Sequence, residues 1–526
     1  MTTAAKLAKY PLTEGVNPWL IALAVMSATF MEVLDTSIAS VALRNIAGSM
    51  SASVSEATWV LTSYLVANAV ILPASNWFAL RFGRKKFLIT CVIIFTASSL
   101  MCGAAPTLWF LLLARVLQGA GGGALQPLSQ SILMESFPPA RRAAAMAAFA
   151  FGIVVAPVIG PTLGGWLTDT YSWRYAFYIN IPIGILSVIL ISRFIHDPSY
   201  VRNAKVGKFD NIGFGLLAIW TATLQIVLDK GQEDDWFGAL WIRYAVVAMV
   251  AALGLWIYRS WTRTDSLVNL RILKDWNFRT GCMLMWLLGV TVYSTITLLP
   301  LYFQEVMGYT AYQAGWVVGP RGFGAICAMP IVGIIGNKID SRKLLTFGFL
   351  LFFYCALYFG RSNLSIGPTT MLIPIVVSGF AMSFVFVPMS TISYTTLKNS
   401  EMGNATGIFN LMRNIGGSVG ISAVQTMLVR RQSFYQSQIG SNLTGTNDKV
   451  QQSLRGIGGY LGSKIGPPNS GGGAMGTLYM MLQQQALLSS FVVVFRWVAL
   501  LSIISAVLVW TFKKNDLSKA PPPGVH

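Results

Sequence analysis

Apolar residues fall along the chain in long blocks separated by short polar segments, and the blocks match the roughly 20 residues that cross a hydrocarbon core of about 30 Å. Fourteen stand out, at approximately 18–42, 57–80, 87–105, 107–134, 143–168, 175–195, 211–229, 239–259, 278–303, 311–337, 343–361, 367–395, 404–428 and 486–512. Each reads as a spanning helix, because a helix satisfies its own backbone where lipid offers no hydrogen bonds. Residues 1–17 are polar, with Lys6 and Lys9, and the first block is long enough to remain as a span, so no cleavable leader is expected. Between the last two blocks, residues 429–485 are rich in Gly, Ser, Gln and Asn and include GPPNSGGG at 466–473. That stretch is too polar to span and predicts a long outer loop, either functional or a floppy linker. Asn442 opens a glycosylation sequon within it.

Composition sharpens this picture. Of 526 residues 54% are hydrophobic and 11% are charged, whereas soluble domains carry about 25% charged residues. The fold class is therefore an all-α polytopic membrane protein. The net charge of +19 concentrates on alternate connecting loops, which is the positive-inside pattern for a chain with both termini cytoplasmic. It predicts contact with anionic lipid headgroups and argues against nucleic acid as a partner. All five cysteines lie in predicted spans and form no disulfide framework.

The chain also repeats itself. ALRFGRKKFL at 79–88 follows the second span and GNKIDSRKLL at 336–345 follows the tenth, each a short basic turn between apolar blocks. Two homologous six-helix halves would produce this, with the seventh and eighth spans inserted between them, and repeats of that kind build transporters with a midplane site between the halves. The expected units are 1–195, a linker with two inserted helices at 196–265, and 266–526. Short cytoplasmic loops that are basic for topology alone remain the plainer account of the pair.

Polar groups inside the spans carry the candidate chemistry. Glu32 and Asp35 interrupt the first span, where an acidic residue at mid-membrane costs about 2.5–3.5 kcal/mol. They lie one helical turn apart and share a face, and the expectation is that this face looks into a central cavity. Arg115, Arg321 and Arg413 are also intramembrane by position, as are Asn410 and Asn414; such groups face protein or a wet cavity, unless the arginines reach an interface with their long stems. In the fifth span Gly152, Ala156, Gly160 and Gly164 recur every fourth residue and let a neighbouring backbone approach. Pro157 and Pro161 remove amide donors there, which predicts a bend that works as hinge or seal. Tight packing without motion is the alternative.

These motifs together resemble the fourteen-helix drug:proton antiporters of the major facilitator superfamily, most closely the EmrB-type inner-membrane subunit of tripartite multidrug efflux systems. LDTSIASVAL at 34–43 is similar to the family's first-helix signature and places its acid on Asp35; the fourth-helix motif falls on Arg115, Gln118 and Gly119; the fifth-helix antiporter motif falls on Gly160, Pro161, Gly164 and Gly165; and WRYAFYINIPIG at 173–184 resembles the entry to helix six. The loop between helices two and three departs. It keeps Arg81, Gly83, Arg84 and Lys85, but Asn76 and Leu80 stand where the family has glycine and aspartate.

The resemblance implies a major facilitator fold of two six-helix bundles and two inserted helices. It implies proton-coupled export of lipophilic compounds across a bacterial inner membrane, with a periplasmic adaptor and an outer-membrane channel as partners and the 429–485 loop as the adaptor contact. Proton coupling falls on Asp35, Glu32 and Arg115, although both acids could instead hold a static salt bridge. Cavity candidates are Tyr64, Asn68, Gln118, Gln126, Trp286, Tyr293, Met382, Phe386, Met389, Asn410 and Arg413, soft, aromatic or weakly polar groups suited to bulky ligands, though each also fits ordinary helix packing. A carrier for one metabolite is the alternative function. A lipid-modifying membrane enzyme is remote: only His196 and His526 exist, with no metal-spaced His/Cys set, no phosphate loop and no cofactor expected.

Overall fold

The computed structural model describes residues 16–138, 141–198, 201, 207–263, 266–336, 338–364, 366–441, 443, 448–465 and 467–513. Residues 1–15 and 514–526, which bear the expected cytoplasmic termini, and Asn442 lie outside the described residues.

Thirteen helices among the described residues are long and apolar enough to cross a membrane. Twelve are Pro18–Leu43, Glu56–Phe82, Arg84–Gly103, Leu108–Ser136, Arg142–Thr170, Tyr175–Phe194, Asn211–Lys230, Leu240–Thr262, Trp276–Val306, Tyr312–Ile335, Ser341–Phe359 and Thr369–Tyr394; we number them as spans one to twelve. Helix Met402–Gly440 is span thirteen and helix Pro467–Leu508 supplies span fourteen. Span thirteen is less apolar than the others because Asn404, Asn410, Arg413 and Asn414 interrupt it, and three of these are buried. Its polar side faces protein rather than lipid. The outward sides of the other spans carry exposed large apolar side chains, such as Leu113, Ile185, Val247 and Ile373, which lipid solvates.

Local chemistry sets where helices start. Ser53 and Glu56 form a capping box at the head of span two, with Glu56 N–H donating to Ser53 Oγ at 3.1 Å and Ser53 N–H to Glu56 Oε2 at 2.7 Å. Asp210, Asp275 and Asp340 cap spans seven, nine and eleven by accepting from backbone amides two or three residues on. Between spans two and three a single glycine makes the turn: Gly83 has φ +86°, a conformation that a Cβ disfavours.

Spans one to six pack on one another, as do spans nine to fourteen, and the two groups meet along two seams. At one seam Asn76 of span two touches Gly403 of span thirteen, with Gly407 against Leu72 and Pro73. At the other, Gly333 of span ten lies against Ala144 and Ala147 of span five, and Gly315 against Pro161 and Thr162. Span seven crosses the first seam on its outer side. Asp229 accepts from Thr62 of span two, Lys230 donates to Thr58 Oγ1 at 2.9 Å, and Ser418 of span thirteen donates to Gln225 Oε1 at 2.7 Å. At the other end of span seven, Arg259 of span eight holds Asp210 through two nitrogens, at 2.6 and 2.9 Å from Oδ1.

Among the described residues, the outer stretch expected as a loop at 429–485 is largely helical. Span thirteen runs on to Gly440, a further helix covers Asp448–Ile465, and the last helix begins at Pro467. The 39 residues of helix Met402–Gly440 reach about 58 Å at 1.5 Å per residue, far beyond a hydrocarbon core. Polar composition misled here because a helix in water needs only one apolar stripe. Val450 and Leu454 supply it, and with Leu443, Leu478, Tyr479 and Leu482 they line a cavity of about 340 Å³.

Candidate functional site

Asp35 sits roughly 25 Å along its helix from Pro18, at 1.5 Å per residue, and is wholly buried. Arg115 of span four donates through Nη1 to Asp35 Oδ2 at 2.6 Å. Gln118, one turn further on, donates through Nε2 to Asp35 Oδ1 at 2.8 Å and accepts from Arg115 Nη1 at 2.7 Å. Asn180 of span six donates to the same Oδ1 at 2.7 Å. Ser99 Oγ of span three accepts from both Gln118 and Asn180, at 2.6 and 3.2 Å. The guanidinium is fixed in turn by Nε donating to the Val60 carbonyl at 2.9 Å and by the Tyr64 ring, whose centroid is 4.4 Å from Cζ. A buried ion pair is tolerated only when further hydrogen bonds satisfy its remaining valences; here three donors converge on one carboxylate.

Every described partner of Asp35 comes from spans one to six. The expectation that Asp35 and Glu32 look together into a central cavity is therefore corrected. A step of three residues turns the helix by about 60°, which points Asp35 into the first group of helices and Glu32 toward the second. Glu32 Oε1 accepts from Asn68 at 3.1 Å. Gln126 of span four lies beside Glu32 and accepts from Arg413 of span thirteen, and one turn away Asn410 donates to Gln130 Oε1 at 2.7 Å. Glu32, Asn68, Gln126, Gln130, Asn410 and Arg413 thus form a polar layer across the interface of the two groups.

The other cavity candidates separate. Tyr64 and Gln118 belong to the Asp35 cluster. Trp286 and Tyr293 of span nine pack against Gly416 and Gly417 of span thirteen. Met389 and Phe386 are buried in the core, and Met382 packs against it. None of these five joins the polar layer: Gly416 packs on the Trp286 backbone and Gly417 on the Tyr293 ring. Arg321 is buried at the head of helix Pro320–Ile335 with neither terminal nitrogen partnered and joins neither cluster.

In span five, Gly160 and Gly164 pack on Ser37 and Ile38 of span one, Gly152 faces Met26 and Phe30 more loosely, and nothing stands within 4 Å of a Cβ built at Gly165. The helix Arg142–Thr170 continues through Pro157 and Pro161, and Ser37 Oγ donates to the Pro157 carbonyl at 3.4 Å. In the loop motif Arg84 pairs with Glu135 at 2.7 Å, both buried, and Lys85 N–H donates to Asp197 Oδ1 at 2.9 Å. Arg81 is exposed.

Sequence reasoning missed Asn180 as a member of the Asp35 cluster, although it lies in the motif at 173–184. The signal that exposed Asp35 applied to it as well: an amide in an apolar span needs a partner. Ser99 carries no such signal.

A family model described as Major Facilitator Superfamily matches residues 25–421. The multidrug export protein EmrB of Escherichia coli (strain K12) is 36% identical over 451 residues, 85% of this chain and 87% of that protein. The fatty acid resistance protein FarB of Neisseria gonorrhoeae is 35% identical over 510 residues, 96% of this chain and 98% of that protein. Among solved structures, the proton:xylose symporter XylE bound to 6-bromo-6-deoxy-D-glucose aligns over 97% of both chains with a TM-score of 0.58 at 14% identity, a likeness of fold. With the family model over most of its length and such relatives along nearly all of it, the chain belongs to the major facilitator superfamily and is a multi-pass membrane transporter, not an enzyme.

Proposed function

We propose that the protein exports lipophilic drugs or toxic compounds across a bacterial inner membrane in exchange for protons, as the relatives named for multidrug export and fatty acid resistance suggest. The observation that carries the coupling is the buried carboxylate of Asp35, held by Arg115, Gln118 and Asn180. Protonation removes the charge that Arg115 pairs with, so the joint between spans one, four and six loosens when a proton arrives and tightens when it leaves. The proton enters from the outside and is released inside, and substrate moves on the reverse stroke as the two helix groups rock. One proton crossing about 100 mV supplies about 2.3 kcal/mol, enough to concentrate a neutral compound nearly 50-fold.

The excess of basic residues at Arg84–Lys86 and Arg342–Lys343 supports a cytoplasmic position for those ends, in which helices Met402–Gly440, Asp448–Ile465 and Pro467–Leu508 project outward. A periplasmic adaptor leading to an outer-membrane channel fits that projection, and removing Asp448–Ile465 then abolishes its capture by purified transporter. The central test uses proteoliposomes with an imposed pH gradient. A lipophilic dye accumulates against its own gradient while the proton gradient stands and stops when an uncoupler collapses it; accumulation indifferent to the uncoupler defeats the proposal.

A further inference from the structure

Two opposite charges face the interface of the helix groups without meeting. Glu32 belongs to span one and Arg413 to span thirteen, both are 5% exposed, and Gln126 stands between them, beside Glu32 and accepting from Arg413. Each is half satisfied. Glu32 Oε1 takes the Asn68 donor while Oε2 has no partner, and one Arg413 nitrogen, Nη2, reaches Gln126 while Nε and Nη1 have none. In the Asp35 cluster a turn away both carboxylate oxygens are occupied and single atoms, Arg115 Nη2 and Asn180 Oδ1, lack partners; at the interface of the helix groups the unpaired atoms instead include a carboxylate oxygen and two nitrogens of one guanidinium.

Buried polar atoms left unpaired cost free energy, and charged ones cost most. A ligand that offers a donor to Oε2 and an acceptor to Nε and Nη1 removes both costs at once. The geometry points to amphoteric lipophiles as the preferred substrates: an apolar scaffold with an ammonium or other cationic end for Glu32 and a carboxylate or other anionic end for Arg413. A singly charged analogue satisfies one side and leaves the other unpaired. Because the two residues stand on opposite helix groups, the doubly charged ligand also ties the groups together. This assignment rests on the transport reading above and names the ligand class of its central path.

The test compares three fluorescent compounds on one quinolone scaffold: norfloxacin, a zwitterion; its ethyl ester, a cation; and its N-acetyl derivative, an anion. Binding is titrated by fluorescence with full-length protein in detergent, which needs no proton gradient. The zwitterion is expected to bind about tenfold tighter than either analogue. Within each variant the ratio of anion to cation affinity then shifts in opposite directions, upward in Glu32→Gln and downward in Arg413→Gln; such ratios do not depend on the fraction of protein that is folded. Equal affinities for the three compounds in the wild type overturn the inference, as do ratios that move together in the two variants. Transport of a neutral lipophilic dye in proteoliposomes separates the levels. Dye pumped with no charge preference sinks this inference alone, whereas the preference without any gradient-driven transport upholds it and sinks the antiport reading.

Discussion

Glu32 and Asp35 stand one turn apart on the first helix, yet one is held from span six and the other is reached from span thirteen by way of Gln126. The short step divides the helix between a closed joint within the first group and a polar layer at the interface of the two groups.

Asp35→Asn keeps the shape of the side chain and removes the charge opposite Arg115. Removing one member of a buried pair costs about 3–5 kcal/mol, and gradient-driven dye transport should fall to the protein-free background. Arg115→Lys in the wild-type background should also lose transport, because the single nitrogen of an ammonium cannot reproduce the planar fork that reaches Asp35, Gln118 and the Val60 carbonyl together. Wild-type transport rates in Asp35→Asn proteoliposomes would remove the coupling role.

Asn180→Leu deletes one donor to a buried carboxylate, a bond worth about 1.5–3 kcal/mol when the acceptor is charged. Thermal unfolding in detergent should shift downward in Asn180→Leu but hardly at all in Asn414→Leu, whose half-buried side chain lies outside the Asp35 cluster. Equal shifts in the two would mean that the hydrogen bond contributes nothing specific.

Glycines of the same motif type should differ sharply. A Cβ on Gly416 would run into the Trp286 carbonyl, which is backbone and cannot yield, whereas nothing lies within 4 Å of one on Gly165. Gly416→Ala should lose about 1–3 kcal/mol through overpacking, and Gly165→Ala should be neutral or slightly stabilising. Denaturation midpoints of the two variants compare them directly.

The Asp210–Arg259 clip lies at the mouth of the inserted pair, and it sets a pH dependence. Partial burial raises the Asp210 pKa, but hydrogen bonds from Arg259 and the Gly213 amide outweigh it and hold the carboxyl below its usual value. Its stabilisation is therefore complete above the unfolded value near 3.9 and is lost as pH falls through the lower folded value. The melting-temperature gap between wild type and Asp210→Asn should be constant from about pH 8 to pH 5 and shrink below about pH 4. A gap that already narrows near neutrality would assign the effect to another group.

The fourteen apolar blocks were legible because lipid leaves little freedom in segment length, and Asp35, Arg115 and Gln118 were legible because polar groups in such blocks need partners. The division between Asp35 and Glu32 was not, since it depends on which helices pack beside span one, and that is decided by glycines as distant as Gly160 and Gly164. Likewise the outer segment reads as loop when judged by polarity, although Val450 and Leu454 already mark a helical stripe.

The make-up of span thirteen bears on how the protein is made. A translocating pore judges each segment as it emerges, and an arginine at the centre weighs about 2.5–3.5 kcal/mol against release into lipid. With Asn404, Asn410, Arg413 and Asn414 in one helix, span thirteen is a poor candidate for release by itself. Spans four and nine, already synthesised, offer it Gln126, Gln130 and a backbone surface for Gly416. The polar residues of the interface thus make the penultimate span dependent on finished neighbours during biogenesis, and a further charge added to that span would carry a cost in insertion yield.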